Sequence, residues 1–264
     1  MLHALKSAPV AILLVIAHSF TLSPHASAEA PIANKVCPLS GNAVDAKQWT
    51  FTEGKRVGFC CAKCKGNFTK LRENRLSEGE QQEGWVLGFN GKDLTGFQKP
   101  TRDGKWSVEG GVLTGTGGKG VLATTANYDD FTLQLDARIS DKGERRGNSG
   151  IFIRGTGLTA YRGRWPDGPE IQIDHGDGNF WTGAIWQKAK AKKVSTKDGE
   201  WFQMKIEAVG PSIRVWVNDE LVTAHKQEGK ILSGAIALQV HHQTDLVEFK
   251  NMKIRPLVEG HDEK

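Results

Sequence analysis

Beyond Cys64 the chain has no cysteine, so the last 200 of its 264 residues can hold neither a disulfide nor a thiolate site. It also lacks any apolar run long enough for a bilayer. The longest, Ala8 to Ala17, is about ten residues, against the roughly 20 that a spanning helix requires. Helical periodicity is nearly absent past Trp85, which excludes a helical bundle for most of the chain. Neither sign of charge dominates, since the formal net charge is only +5. The densest basic group, Lys188, Lys190, Lys192, Lys193 and Lys197, has no nucleic-acid motif around it and reads as a solvated loop. Neither a nucleic-acid partner nor a stable membrane span is expected.

The N-terminus carries Lys6, then the short apolar run, then a polar stretch ending in Ala26-Ser27-Ala28, which is the order of a secretory signal peptide. Residues 1–28 are expected to be removed, leaving an exported, periplasmic or secreted protein that begins near Glu29. Cleavage would take away Lys6 and no acid, so the charge would fall from +5 to +4.

All four cysteines, Cys37, Cys60, Cys61 and Cys64, lie within 28 residues, which marks a separate module over 29–70. The spacing, Cys then 22 residues, Cys, three residues, Cys, suits a thiolate metal site for zinc or copper, with Cys61 as a fourth ligand. Disulfides are the competing reading, since an even set of cysteines in an exported chain also suits them. Residues 71–83 are highly polar and read as a helix end plus linker.

From Trp85 the chain is written in short alternating runs separated by Gly, Asn and Asp, the signature of an all-β sandwich over 84–258 with a short tail at 259–264. Phe131–Ile139 is the clearest run, apolar at odd positions and polar at even ones. Others are expected at 147–154, 169–175, 201–209, 213–217, 234–242 and 246–254, with Asn218-Asp219-Glu220 turning a hairpin.

Alternation also sorts polar residues by face. Glu170, Gln172 and Asp174 share one face of their strand, opposite Ile171 and Ile173, and stand about 7 Å apart, a spacing suited to gripping a polyhydroxylated ring or to acid–base work. A solvated outer face is the plainer alternative. Gln239 and His241 share a face with Ala235 and Ala237, whose small side chains are expected to leave room for a ligand. His242 and His175 fall on the opposite parity, toward the core. Asn148, Phe152 and Arg154 share a face, and Arg154 is a candidate for binding a sugar oxygen or for an ion pair with Glu170 or Asp174. Tyr161, Trp165, Phe180, Trp181 and Trp186 concentrate in Gly- and Pro-rich segments, where flat rings suit sugar stacking, Trp186 among them, or ordinary packing.

The ordered segments Gly84-Trp85, Phe89-Asn90-Gly91-Lys92-Asp93-Leu94, Trp106 to Leu113, Gly147 to Arg154, Glu170 to Asp174, Thr182 to Trp186 and Val247 to Asn251 closely resemble the 3-keto-disaccharide hydrolase domain family. The resemblance implies a concanavalin-like jelly-roll β-sandwich whose concave sheet binds sugar, with Glu170, Gln172, Asp174, Gln239 and His241 where the family keeps polar residues. The cysteine spacing resembles the treble-clef-like metal-binding modules of the YHS and TRASH type.

The expected activity is cleavage of 3-keto-glycosides by base-assisted elimination or hydrolysis. His241 or Glu170 is the candidate base and Asp174 the candidate acid or metal ligand. Asn148 or Arg154 is the candidate enolate stabiliser, and Gln172, Gln239 and Trp186 are substrate contacts. A non-catalytic carbohydrate-binding protein and a metal-handling accessory are the rival readings.

Overall fold

A computed structural model describes residues 31–52, 55–141, 147–158, 165–175, 180–192, 196–228, 230 and 233–257. The chain divides into two compact units, residues 1–69 and 70–264. No helix among the described residues is long and apolar enough to cross a membrane.

The first unit is a hairpin followed by a helix. Strands β1 (Asp45–Thr52) and β2 (Lys55–Phe59) pair antiparallel, and helix α1 (Ala62–Arg72) starts directly after Cys61. The Asn34 side chain pairs with both backbone groups of Gly58, at 2.8 and 2.9 Å, and so adds the incoming chain to β2. A turn at Cys37 is closed by Gly41 N–H donating to the Cys37 carbonyl at 2.9 Å. Phe59 packs on Phe68, centroids 5.0 Å apart.

The second unit opens with the short helix α2 (Glu78–Gln82), started by a capping box in which the Ser77 hydroxyl and the Glu80 carboxylate each accept the other residue's N–H. Its strands are β3 (Val86–Leu87), β4 (Lys105–Glu109), β5 (Val112–Thr116), β6 (Gly120–Tyr128), β7 (Phe131–Asp141), β8 (Asn148–Gly155) and β9 (Glu170–Asp174). They continue with β10 (Phe202–Val209), β11 (Ser212–Val217), β12 (Glu220–Lys226), β13 (Gly234–Val240) and β14 (Asp245–Pro256). They make a concanavalin-like jelly-roll sandwich of two antiparallel sheets. The larger runs β12-β11-β10-β7-β14-β5-β4, with β3 beside the end of β14, and the smaller runs β6-β13-β8-β9.

The alternation written in the sequence explains the layers. Leu133, Leu135, Ala137 and Ile139 of β7 face Ile151 and Ile153 of β8, Ile171 and Ile173 of β9, and Ile236, Leu238 and Val240 of β13 in one apolar core. Each leucine, isoleucine or valine among them, withdrawn from water, contributes about 1.5–3 kcal/mol. The β11–β12 hairpin turns on Asn218 and Asp219, both at positive φ (49° and 66°), so Glu220 belongs to β12 rather than to the turn.

The polar run before β3 is tied to β14. Asn74 and Asn251 both sit at positive φ, where Asn is better tolerated than most residues, and each accepts the other's backbone N–H on its side-chain oxygen at 2.8 Å. Asn74 also donates to Gly111 O, and Asn251 to the Asp136 carboxylate at 2.6 Å. Lys250 pairs with Glu73, Lys253 with Glu80 and Arg255 with Glu83. Glu73, Asn74, Glu80 and Glu83, within the stretch 71–83 read from composition as a helix end plus linker, thus contact β14 in the second unit.

Asn251→Gly keeps the backbone conformation but strips partners from Asn74 N–H and Asp136. With two orphaned groups at about 1–3 kcal/mol each, the melting temperature of the second unit should fall by roughly 4–20 °C. Unchanged melting would show that the clasp contributes nothing.

Candidate functional site

The side of the small sheet turned away from the core carries two different surfaces. At one end Val121, Ala123, Phe152, Ala235 and Ala237 form a second apolar cluster, packed against by Leu158 and Trp165. Both alanines are fully buried, so the room expected above them is filled by Phe152 and Trp165 rather than open to a ligand. The other end is polar and holds Glu170, Gln172, Gln239, Asn148 and Asp174.

Glu170, Gln172 and Asp174 share this face of β9, as the Ile171 and Ile173 side chains in the core require. In register Glu170 lies opposite Phe152, Gln172 opposite Gly150, and Asp174 opposite Asn148. The Glu170 carboxyl crosses β8 at Gly150, where a Cβ would come within 2.7 Å of its Oε1. Only glycine leaves that lane clear. Beyond it, Gln239 Nε2 on β13 donates to Glu170 Oε1 at 2.8 Å. Gln239 is fully buried, and its Oε1 has no hydrogen-bond partner among the described residues. β13 is itself fixed to β8 here, since the Ser149 hydroxyl donates to Gln239 O at 2.7 Å.

Burial is the largest influence on the Glu170 carboxyl. It disfavours the anion more than the Gln239 and Gln172 hydrogen bonds favour it, and the pKa rises to about 7. Near neutrality this group can therefore either give or take a proton.

Beside β9, Gly183 N–H donates to Gln172 O at 2.8 Å and Trp186 N–H to Glu170 O at 2.9 Å, which brings residues 182–186 along the strand. Asp174 is half-buried, its backbone bonded to the Thr182 hydroxyl. Trp186 is 45% exposed and touches Phe180 edge-on at 5.0 Å. Asn148 is half-buried, and its N–H reaches Asp245 Oδ1 at 3.3 Å. Tyr161 lies outside the described residues.

Two placements differ from the alternation rule. Arg154 sits at φ 52°, and the β13–β8 register shifts next to it. The bulge turns its side chain away from Glu170 and Asp174. It is fully buried and donates to Asp129 O at 2.6 Å, Gly210 O at 2.9 Å and Asp130 Oδ1 at 3.0 Å. Its role is to stitch loops, and it is absent from the polar face. The histidines are the second difference. β13 ends at Val240, so parity no longer separates His241 from His242. Their Nδ1 and Nε2 atoms are 2.9 Å apart, and Trp165 stacks on His241 with centroids 5.4 Å apart. Arg102 lies over the other ring system, 4.7 Å from the Trp165 centroid. Sequence reasoning passed over Arg102, grouped Trp165 with the rings suited to stacking or packing, and turned His242 toward the core, because loop residues carry no periodic signal. His175 is buried against Phe202 as parity expected, and burial lowers its pKa.

In the first unit, the Sγ atoms of Cys37, Cys60 and Cys64 all lie within 4.8 Å of one another, with Cys60 and Cys64 3.7 Å apart. A tetrahedral ion with Zn–S bonds of about 2.3 Å needs sulfurs about 3.8 Å apart, so the set fits a thiophilic metal. Cys61 stands outside that group of three but is 3.8 Å from Cys60 Sγ, and all four are free thiols. Burial opposes the Cys37 thiolate, but hydrogen bonds from the Ser40 hydroxyl and the nearby backbone outweigh it and bring its pKa to about 6. Hydrogen bonding to Cys60 and Cys61, then burial, pushes Cys64 up to about 12.

The family described as the 3-keto-alpha-glucoside-1,2-lyase-like domain matches residues 84–255. Among solved structures, a candidate glycosyl hydrolase from Parabacteroides distasonis ATCC 8503 superposes with a TM-score of 0.61 at 24% identity, covering 70% of this chain and 100% of its own. A second candidate glycosyl hydrolase from the same organism gives a TM-score of 0.54 at 26% identity, covering 66% and 99%. No curated protein matches the chain.

The raised Glu170 pKa sets a stability slope. The folded state holds its proton up to about pH 7, the unfolded chain only to about 4.5, so stability is lost as pH rises between these values. Glu170→Gln removes the titration. The two proteins should melt together at pH 5, and the variant should be the more stable at pH 8, by at most about 3 kcal/mol. A gap that does not change with pH would contradict the burial of the charge.

Proposed function

The chain belongs to the 3-keto-alpha-glucoside-1,2-lyase-like domain family, and on that basis we propose that its sandwich cleaves the glycosidic bond of 3-keto-glycosides after export from the cell. The observation that carries this reading is the half-buried Glu170 carboxyl, held by Gln239 at 2.8 Å, whose pKa burial raises to about 7.

The chemistry asks for one base and one acid. A ketone at C3 acidifies the C2 proton. A base takes that proton, and the C2–H electron pair is delocalised onto the C3 oxygen. Collapse of the enolate forms the C1–C2 double bond and expels the C1 oxygen, which an acid protonates as it leaves. Addition of water across the enone completes a net hydrolysis. His241 is assigned the base role and protonated Glu170 the acid role, with Asp174 as the alternative acid. Asn148, half-buried, is assigned to donate to the enolate oxygen, a role that burial removes from Arg154 and Gln172; the Gln172 side chain instead hydrogen-bonds the Glu170 carboxyl. Trp186, the exposed aromatic beside β9, offers a face for stacking a sugar ring.

A panel of native and 3-keto disaccharides tests the proposal. Turnover is expected only with the keto sugars, and Glu170→Gln and His241→Ala should each lower kcat about 10²-fold or more with folding retained. Binding of the same sugars without turnover would make the protein a carbohydrate-binding module instead.

For the first unit we propose one thiophilic ion, zinc or copper(I), held by Cys37, Cys60 and Cys64 with Cys61 able to complete the set. Protein prepared without chelators should contain about one such ion per chain, and Cys37→Ser should lose it while the sandwich keeps its melting transition. Metal-free protein with no titratable thiols would mean disulfides.

A further inference from the structure

The two adjacent histidines are joined in a way that the elimination chemistry does not by itself demand. His241 Nδ1 and His242 Nε2 lie 2.9 Å apart with the rings nearly perpendicular, at 73°. One proton fits between them. Two would set N–H against N–H, and none would set lone pair against lone pair. The pair is held from several sides. Trp165 stacks on His241 at an interplanar angle of 23°, and Trp165 in turn stacks on Phe152 of β8. His242 N–H donates to Asp245 Oδ2 at 2.8 Å, and Asp245 N–H returns to His242 O at 3.3 Å, closing a tight turn between β13 and β14. Among the described residues, the charged groups near the pair include Arg102 beyond the Trp165 ring, Asp245 at the start of β14, and Glu170, tied to Gln239 two residues before His241.

We propose that His242 is a positioning residue for His241: it accepts the His241 Nδ1–H on its own Nε2, fixing the tautomer in which His241 Nε2 is the basic nitrogen and orienting that ring under Trp165. The proposal rests on the reading of His241 as the base. A neutral imidazole can take the C2 proton only at the nitrogen that does not already carry one. With Nδ1–H committed to His242, that nitrogen is Nε2. When Nε2 gains the proton, the positive charge on His241 is shared through the Nδ1–H hydrogen bond, so the acceptor raises the basicity of the base. His242 then carries its own proton on Nδ1 and touches no reacting atom. Ring stacking and the Asp245 turn keep the 2.9 Å contact from opening.

Two measurements on the full-length protein test this. The first uses two-bond proton–nitrogen NMR correlations of the histidine rings, without substrate. His241 should be protonated at Nδ1 in the wild type, and should revert in His242→Ala to the Nε2–H form that histidine prefers in water. A wild-type His241 protonated at Nε2 would overturn the proposal outright. The second is kinetic. His242→Ala should lower kcat by on the order of 10-fold or more with KM little changed, and should move the acidic limb of kcat/KM to lower pH. His242→Gln, whose side-chain oxygen can accept the same proton, should recover most of the loss. Equal loss in Ala and Gln variants with an unmoved pH limb would reduce His242 to a packing residue. Should the wild type turn over no keto sugar, the functional reading fails alone, because the tautomer is read without substrate.

Discussion

Both faces of β13 are buried from Gly234 to Val240, and a strand that is dry on both sides cannot leave a polar side chain to water. Gln239 must find its partners inside the protein or cost about 1–3 kcal/mol. Its partner is two strands away. Glu170 reaches it because Gly150, on the strand between, has no side chain to block the path. The same burial that forces the amide to be paired also disfavours the carboxylate anion, so a single constraint supplies both the rigidity of the site and its proton affinity near neutrality. The isoleucines on the opposite faces of β8 and β9 hold this arrangement in register from the core side.

Much of this was legible in the sequence. Period-2 alternation located the strands and put Glu170, Gln172 and Asp174 on one face, because an unbroken strand has no other way to turn its side chains. The rule failed where the backbone departs from a regular strand. At Arg154 a residue at positive φ rotates the side chain out of sequence, and nothing in the letters Phe-Ile-Arg-Gly announces that bulge. At His241 and His242 the strand has already ended, so parity carries no information. The small size of Ala235 and Ala237 was read as space for a ligand, but small residues equally admit a large neighbour. Phe152 and Trp165 are that neighbour, and alternation within one strand cannot reveal what arrives from another.

The burial of Arg154 shows why the polar face was free to specialise. A fully buried guanidinium is tolerated only when its donors are met, and here two backbone carbonyls and the Asp130 carboxylate meet them at 2.6 to 3.0 Å. Asp130 also accepts Gly210 N–H at 2.8 Å, so the arginine joins the turn before β7 to the turn after β10. Removing one member of such a group typically costs about 3–5 kcal/mol, because the charge left behind stays buried. The cation that sequence alone offered to a substrate is therefore engaged in closing the sandwich, and the polar face presents amides and carboxyls instead.

The two units draw their stability from different sources. In the sandwich a continuous core spans both sheets. Among the described residues of the first unit, the only buried hydrophobic side chains are Cys37 and Phe59. A module with so little core cannot offset the entropy of ordering its chain through apolar burial alone. Cross-linking through its sulfurs is a remaining means, and three sulfurs within 4.8 Å of one another are compatible with it. Hydrogen bonds from Ser40 and the nearby backbone outweigh burial and favour the Cys37 thiolate, whereas hydrogen bonding to Cys60 and Cys61, then burial, favours the Cys64 thiol. If the proposed ion binds there, metal capture and folding of this unit would be one event, whereas the second unit has a core of its own.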